Sequence, residues 1–107
     1  MGTTRITYQG ACVLQALSRG LSYGFDIMEL TGLPSGSVYP ILRRFEEHRL
    51  VESEWEDADE AHADRRPRRR HYRLTAAGRA ELAAAAERLA LHRNLFLDGE
   101  RAGEATS

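Results

Sequence analysis

The sequence predicts a mainly α (α+β) fold, a winged helix-turn-helix with a two-stranded wing and a long C-terminal helix. Three observations carry that expectation. The first half of the chain holds three stretches of helical apolar period separated by short glycine-containing breaks; the period then changes to two after Leu50 and again near Tyr72 and Leu74; the last third is an alanine-rich run that opens at Thr75. Residues 1–74 are expected to form the winged helix-turn-helix unit, residues 75–98 a dimerisation helix and residues 99–107 a disordered tail.

The first periodic segment runs from about Thr7 to Ser18, where Tyr8, Ala11, Cys12, Leu14 and Leu17 fall near helical spacing and Arg19-Gly20 supplies a stop. Ser22 is placed to cap a second helix of about two turns, YGFDIMEL, whose Tyr23, Ile27 and Leu30 recur at i, i+4 and i+7 before Gly32 ends it. The connector Thr31-Gly32-Leu33-Pro34 is too tight for a full antiparallel return, so a helix-turn-helix corner is expected.

The third helix lies in SGSVYPILRRFEEHRL, Ser35 to Leu50. Val38, Ile41, Leu42 and Phe45 stand at i, i+3, i+4 and i+7 and share the face that must pack inward. The opposite face is centred on Gly36, Pro40, Arg43 and Glu47, flanked by Ser37, Tyr39 and Arg44. Proline has no N–H to give and clashes one turn back, which costs little only in a first turn. The helix is therefore expected to be capped by Ser37, or by Ser35 with a slight kink.

Two strands follow, roughly Val51 to Glu56 and Arg69 to Leu74. The tip between them, Asp57 to Arg68, is long, charged and broken by Pro67, and is expected to be mobile. Thr75 caps the last helix, which should reach about Asp98 before Gly99. Its Leu82, Leu89 and Phe96 lie seven apart, with Ala85 and Ala86 between them. Nothing remains in the chain to cover that seam, so a second copy is expected there: a homodimer joined through Leu82, Ala86, Leu89 and Phe96.

Composition narrows the function. At 107 residues and 42% hydrophobic content the chain is one small domain, burying roughly two-thirds of its unfolded surface. It has no apolar run long enough for a membrane and no secretory leader pattern, so a cytoplasmic protein without a membrane partner is expected. The single cysteine, Cys12, excludes an internal disulfide, and its neighbours Ala11, Val13 and Leu14 favour a buried small hydrophobe over a reactive thiol. His48, His62, His71 and His92 fall in four different elements, no glycine-rich phosphate loop is present, and paired carboxylates occur only in the solvated wing. No catalytic residue, metal site or cofactor is expected, and an enzyme is not.

Charge is informative through its distribution. The net charge of −1 gives no basic footprint, yet ESEWEDADEAHAD carries seven carboxylates without a cation and RRPRRRHYR six arginines without an anion. Arg43 and Arg44 suit phosphate or guanine contact, Ser35, Gly36 and Ser37 allow close backbone approach, and Tyr39 and Pro40 can meet sugar edges or a thymine methyl. In the wing Arg66, Arg68 and Arg69 suit phosphates, although pairing with the adjacent carboxylates is an equal alternative. For Arg43 and Arg44 the bland alternative is a solvated face shared with Glu46 and Glu47.

LSYGFDIMELTG, SGSVYPILRRFEEHRLVESEWE and RRHYRLTAAGRAEL closely resemble the PadR family of bacterial transcriptional regulators. The resemblance covers about residues 8 to 90, with Ser37 where the family usually has threonine. The single C-terminal helix matches the smaller subclass. The resemblance implies a homodimeric winged-helix repressor that binds double-stranded DNA, contacts it at Ser35, Gly36, Ser37, Tyr39, Pro40 and Arg43, and is often released by a small aromatic effector. Arg44 joins that set from the face analysis. Two recognition helices would then enter an inverted repeat about 34 Å apart. A winged-helix module for protein contact, without DNA binding, is the alternative that the near-neutral charge supports.

Overall fold

In the computed structural model, which describes residues 6–106 and the side chains of residues 6–95, Thr7 starts the first helix by accepting a hydrogen bond from the Gly10 amide at 3.0 Å. The chain order is α1 (Tyr8–Ser18), α2 (Gly24–Thr31), α3 (Ser35–Glu47), β1 (Val51–Trp55), α4 (Ala58–Ala63), β2 (Arg70–Leu74) and α5 (Ala76–Thr106). The strands pair antiparallel in the register Val51↔Leu74 through Trp55↔Arg70. The predicted winged helix-turn-helix is present, with one added helix at the wing tip.

The core is built where the apolar faces of α1, α2 and α3 meet the base of the hairpin. Val13, Leu14, Ile27, Val38, Leu42 and Val51 are fully buried. On α3 the four residues predicted from spacing, Val38, Ile41, Leu42 and Phe45, are its buried residues. On α1 the assignment shifts: Tyr8 is exposed and Cys12 only half-buried, while Gly10, Val13 and Ala16 are inside. Helix α1 is covered by α2, α3, α5 and β2 together, so its buried arc is wider than one stripe. Leu30, placed inward by the i, i+7 pattern, is likewise exposed, since α2 is too short to keep its last turn under its neighbours.

Ser22 does not cap α2. Tyr23 holds the N-cap position without a side-chain bond, and the Ser22 carbonyl instead accepts the Tyr72 amide at 2.8 Å. This ties the start of α2 to the wing, where Tyr23 also forms an isolated bridge with His71. Gly32 ends α2 in the left-handed conformation with φ 74°, the stop its position predicted.

Neither Ser35 nor Ser37 caps α3; Pro34 holds that position, its carbonyl accepting the Ser37 amide at 2.9 Å and the Val38 amide at 3.0 Å. Pro40 thus lies just past the first turn, where it leaves the Gly36 carbonyl without its usual i+4 donor.

Thr75 caps α5 as expected, its hydroxyl accepting the Gly78 amide at 3.0 Å. A Cβ on Gly78 would collide with the Leu50 carbonyl, so α5 packs backbone-close on the corner between α3 and β1. The helix also runs past the predicted end at Asp98 to Thr106. One glycine at position 99 costs about 1 kcal/mol in a helix, and the alanine-, glutamate- and arginine-containing stretch around it does not oppose propagation. The expected disordered tail is thus helical backbone as far as Thr106.

Candidate nucleic-acid interface

Burial of Val38, Ile41, Leu42 and Phe45 leaves α3 presenting Ser35, Gly36, Tyr39, Pro40, Arg43 and Arg44 outward, with Ser37 half-buried. Adjacent residues on a helix stand about 100° apart, so the two arginines diverge. Arg43 faces the wing beside Tyr39, Glu46 and Arg70, whereas Arg44 stands toward the start of α1 near Thr7 and His48. Neither forms an ion pair among the described residues.

Tyr39 is 44% exposed, and its inner side has a structural task. A Cβ on Gly24 would sit 2.7 Å from Tyr39 Cζ, so the ring lies directly against the backbone of α2. This contact explains why a glycine follows Tyr23. Gly36 is the opposite case: a Cβ there would meet nothing within 4 Å. Packing within the chain does not require a glycine at 36, which leaves its backbone open to approach from outside.

The wing corrects two expectations. Its tip is not an open loop, because α4 forms with Asp57 as N-cap, accepting the Asp59 amide at 2.7 Å, and Ala61 is buried beneath it. Helix α4 is held by Glu56, whose side chain is 4% exposed. Arg66 grips both carboxylate oxygens, with the Nη2 to Oε2 bond at 2.7 Å, while Arg69 adds its amide at 3.3 Å and its guanidinium at 3.4 Å. Hydrogen bonding from Arg66, aided by the Arg69 amide, holds the Glu56 carboxyl down at about 2 although burial opposes this. Arg66, expected at phosphate, is therefore the internal clasp of the wing.

The remaining wing arginines divide. Arg73 pairs with Glu52 at 2.9 Å and Glu54 at 3.4 Å across the strands. Arg70 reaches Ser53 Oγ at 2.9 Å and Glu46 at 3.5 Å, while the Ser53 hydroxyl donates to Glu46, so this trio links the wing to α3. Arg69 lies over the Tyr23 ring at 4.0 Å. Arg68 forms no ion pair among the described residues; its Nε donates to the Glu56 carbonyl at 2.9 Å and its guanidinium stands 5.8 Å from the Trp55 ring centre. Among the described residues, Arg43 and Arg44 of α3 and Arg65 and Arg68 of the wing form no ion pair with a carboxylate. The link through Glu46, Ser53 and Arg70 escaped the sequence reading, since it joins positions up to 24 residues apart with no shared period.

The expected dimer seam is partly internal. Ala85 is fully buried, and Leu82 and Leu89 pack against the core alongside α1, so α1 covers the half of the seam that had no visible cover in the sequence. Ala86 is exposed. Leu82, Ala86 and Leu89 still line one side of a groove of about 410 Å³ whose other walls include Tyr8, Cys12 and Leu30. The Phe96 side chain lies outside the described residues.

A third helix anchored by its apolar face, beside a wing braced against it, defines a winged helix-turn-helix of the kind that reads duplex DNA. The sequence profile of the transcriptional regulator PadR-like family matches residues 13–84, and the chain belongs to that family. The family is one of transcriptional regulators and not of enzymes. The PcaV transcriptional regulator from Streptomyces coelicolor, in complex with its natural ligand, superposes with a TM-score of 0.74 at 23% identity, over 92% of this chain and 66% of that one. A PadR family regulator from Clostridium difficile R20291 gives 0.73 at 20% identity, over 86% of this chain and 97% of that one. BpsR from Bordetella bronchiseptica, whose DNA binding is regulated by 6-hydroxynicotinic acid, gives 0.64 at 23% identity, over 86% of this chain and 67% of that one. At these identities the likeness is one of fold. No curated protein matches by sequence. Among the described residues no helix is long and apolar enough to cross a membrane.

Proposed function

We propose that the protein is a cytoplasmic, sequence-specific DNA-binding repressor that binds an inverted repeat as a homodimer, with α3 in the major groove and the wing on flanking backbone. The observation that carries this reading is the charge accounting. Arg66, Arg69, Arg70 and Arg73 of the wing are neutralised within the chain, whereas among the described residues Arg43 and Arg44 have no carboxylate partner on the exposed side of α3, whose opposite face is buried. Gly36 at the start of that helix leaves room for close approach. Ser35, Ser37, Tyr39 and Pro40 complete the contact surface, and Arg68 and Arg69 supply phosphate contacts from the wing. PcaV, seen in complex with a natural ligand, and BpsR, whose DNA binding is regulated by 6-hydroxynicotinic acid, share the fold and support a small-molecule effector for this chain as well.

The test is a titration of labelled duplex from the region upstream of the protein's own gene at several salt concentrations. Saturable binding that discriminates against unrelated duplex is expected, with an affinity that falls as salt rises. Arg43→Ala should cost about 1 to 3 kcal/mol if it reads a base, and lose discrimination at one position. Binding that is equally tight to every duplex, or no binding at low salt, overturns the reading.

A further inference from the structure

One face of the wing carries Val51, Ser53 and Trp55 from β1 and Arg70, Tyr72 and Leu74 from β2, as the strand register and the alternation of side chains require. Val51, Tyr72 and Leu74 are buried on it. Neither strand places a carboxylate on that face, so Arg70 takes its counterion from another element. Its Nη2 stands 3.5 Å from Glu46 Oε1 on α3, its Nε donates to Ser53 Oγ at 2.9 Å, and its guanidinium lies 5.2 Å from the Trp55 ring centre. Accepting from Arg70 leaves the Ser53 hydroxyl proton for another partner, and it is donated to the same Oε1 of Glu46. The Glu46 carboxylate is drawn to the wing by a cation and by a hydroxyl which that cation orients.

Glu46 has a second possible partner. It stands three residues after Arg43, so the two side chains are neighbours on the helix surface, about 5 to 6 Å apart at Cβ. Arg43, Glu46 and Arg70 line one pocket between α3 and β2 together with Tyr39 and Tyr72. Arg43 nevertheless forms no ion pair among the described residues. Glu47, four residues after Arg43, is exposed, and water and salt screen its charge. Glu46 is half-buried against the wing, where a charge acts more strongly on its neighbours. Its position decides whether Arg43 is paired.

We infer that Arg70 and Ser53 are positioning residues for DNA recognition: they hold the Glu46 carboxylate on the wing, so that Arg43 stays unpaired and no bare negative charge faces the duplex. Arg70 acts through Glu46 and not as a phosphate contact. This role rests on the DNA-binding reading.

The test is a double-mutant cycle on the full chain, in which the parent, Arg70→Gln, Glu46→Gln and the double variant are titrated with the upstream duplex by fluorescence anisotropy at one salt concentration. Arg70→Gln should bind about tenfold more weakly than the parent, because Glu46 then turns to Arg43 and repels phosphate. Glu46→Gln should bind about two- to threefold more tightly, since a cation is released on the DNA side. In the Glu46→Gln background the arginine substitution should cost no more than about threefold. Ser53→Ala changes no charge and spares the fold if Arg70→Gln does not; it should cost about threefold beside Glu46 and less than about twofold beside the glutamine. A loss of the same size in both backgrounds makes Arg70 a direct phosphate contact and overturns the role. Weaker binding by Glu46→Gln than by the parent also overturns it, because the link would then act as a tether for the wing. Parental affinity in both Arg70→Gln and Ser53→Ala does the same. A parent that binds no duplex refutes the DNA-binding reading and this role with it, whereas the other outcomes leave that reading standing.

Discussion

Gly24 and Gly36 show how one residue type serves two purposes on neighbouring elements. Gly24 is required by what is already there, because the Tyr39 ring occupies the space a side chain would need. Gly36 faces open space, so no neighbour within the chain holds it to glycine. Their alanine variants should therefore separate stability from recognition. Gly24→Ala must displace Tyr39 or shift α2, an overpacking error of about 1 to 3 kcal/mol, and urea unfolding should show that loss together with weaker DNA binding. Gly36→Ala improves helix propensity and should leave stability unchanged or raise it by up to about 1 kcal/mol. On the proposed docking the same variant should weaken duplex binding, because a methyl group would then stand where the start of α3 approaches the groove. A Gly36→Ala protein that is both as stable and as tight as the parent would remove this glycine from the contact surface.

At the scale of elements the wing carries most of what the sequence hid. Its charge blocks were visible, and so were the two strands, to within a residue at each end. The face of α3 was legible because four apolar residues at helical spacing can share only one side. Which carboxylate would meet which arginine was not legible, since periodicity reports the side a residue takes and not the element that will lie on it. Seven acids followed by six arginines therefore read as a solvated, mobile tip, whereas one buried acid, Glu56, folds the tip into α4. The same limit hid the cover that α1 gives to α5 and the Tyr39 contact on α2. The clasp has a pH signature. Its carboxyl titrates near 4.5 in the unfolded chain and at about 2 when folded. A depressed folded value means that the contribution to stability is complete above about 4.5 and is lost as pH falls from there toward 2. Glu56→Gln should remove that part of the acid dependence and loosen α4 at neutral pH. Limited trypsin digestion would then cut between Arg65 and Arg70 faster than in the parent, while the core helices keep their amide protection. Equal cleavage rates would mean that Arg66 and Glu56 do not hold the tip.

The whole molecule is 65 Å long and only 34 by 21 Å across, because the 31-residue α5 extends beyond the body formed by the other elements. Its first turns are accounted for by Ala85 against the core and by Arg88, which donates to the Ile6 carbonyl. Farther along, Leu91 is 64% and Leu95 70% exposed. At 100° per residue Leu91 stands about 180° around the helix from Leu82, so α5 carries apolar residues on its far side as well as its near one. A helix apolar on both sides is stable in water only when more than one neighbour covers it; among the described residues α1 covers the near side of α5, and β2 and Leu50 meet its start at Gly78. The groove between α1, α2 and α5 is likewise largely apolar and open, and this pairing of an uncovered helix with an unfilled groove is what supports the proposed second copy. Ala86 offers the sharpest probe. It is exposed, sits on the groove wall and lies in a helix that accepts glutamate readily, so Ala86→Glu should leave the monomer's fold intact. Buried in a dimer seam, the same carboxylate would be unpaired, and the variant should sediment as a monomer at micromolar concentration where the parent sediments as a dimer. On the proposed inverted repeat a monomer would cover one half-site, so it should bind duplex weakly and with a shallower dependence on salt. A variant that keeps the dimer mass would place the interface away from Ala86. A parent that is itself monomeric would remove the homodimer, and with it the inverted repeat as the form of the operator.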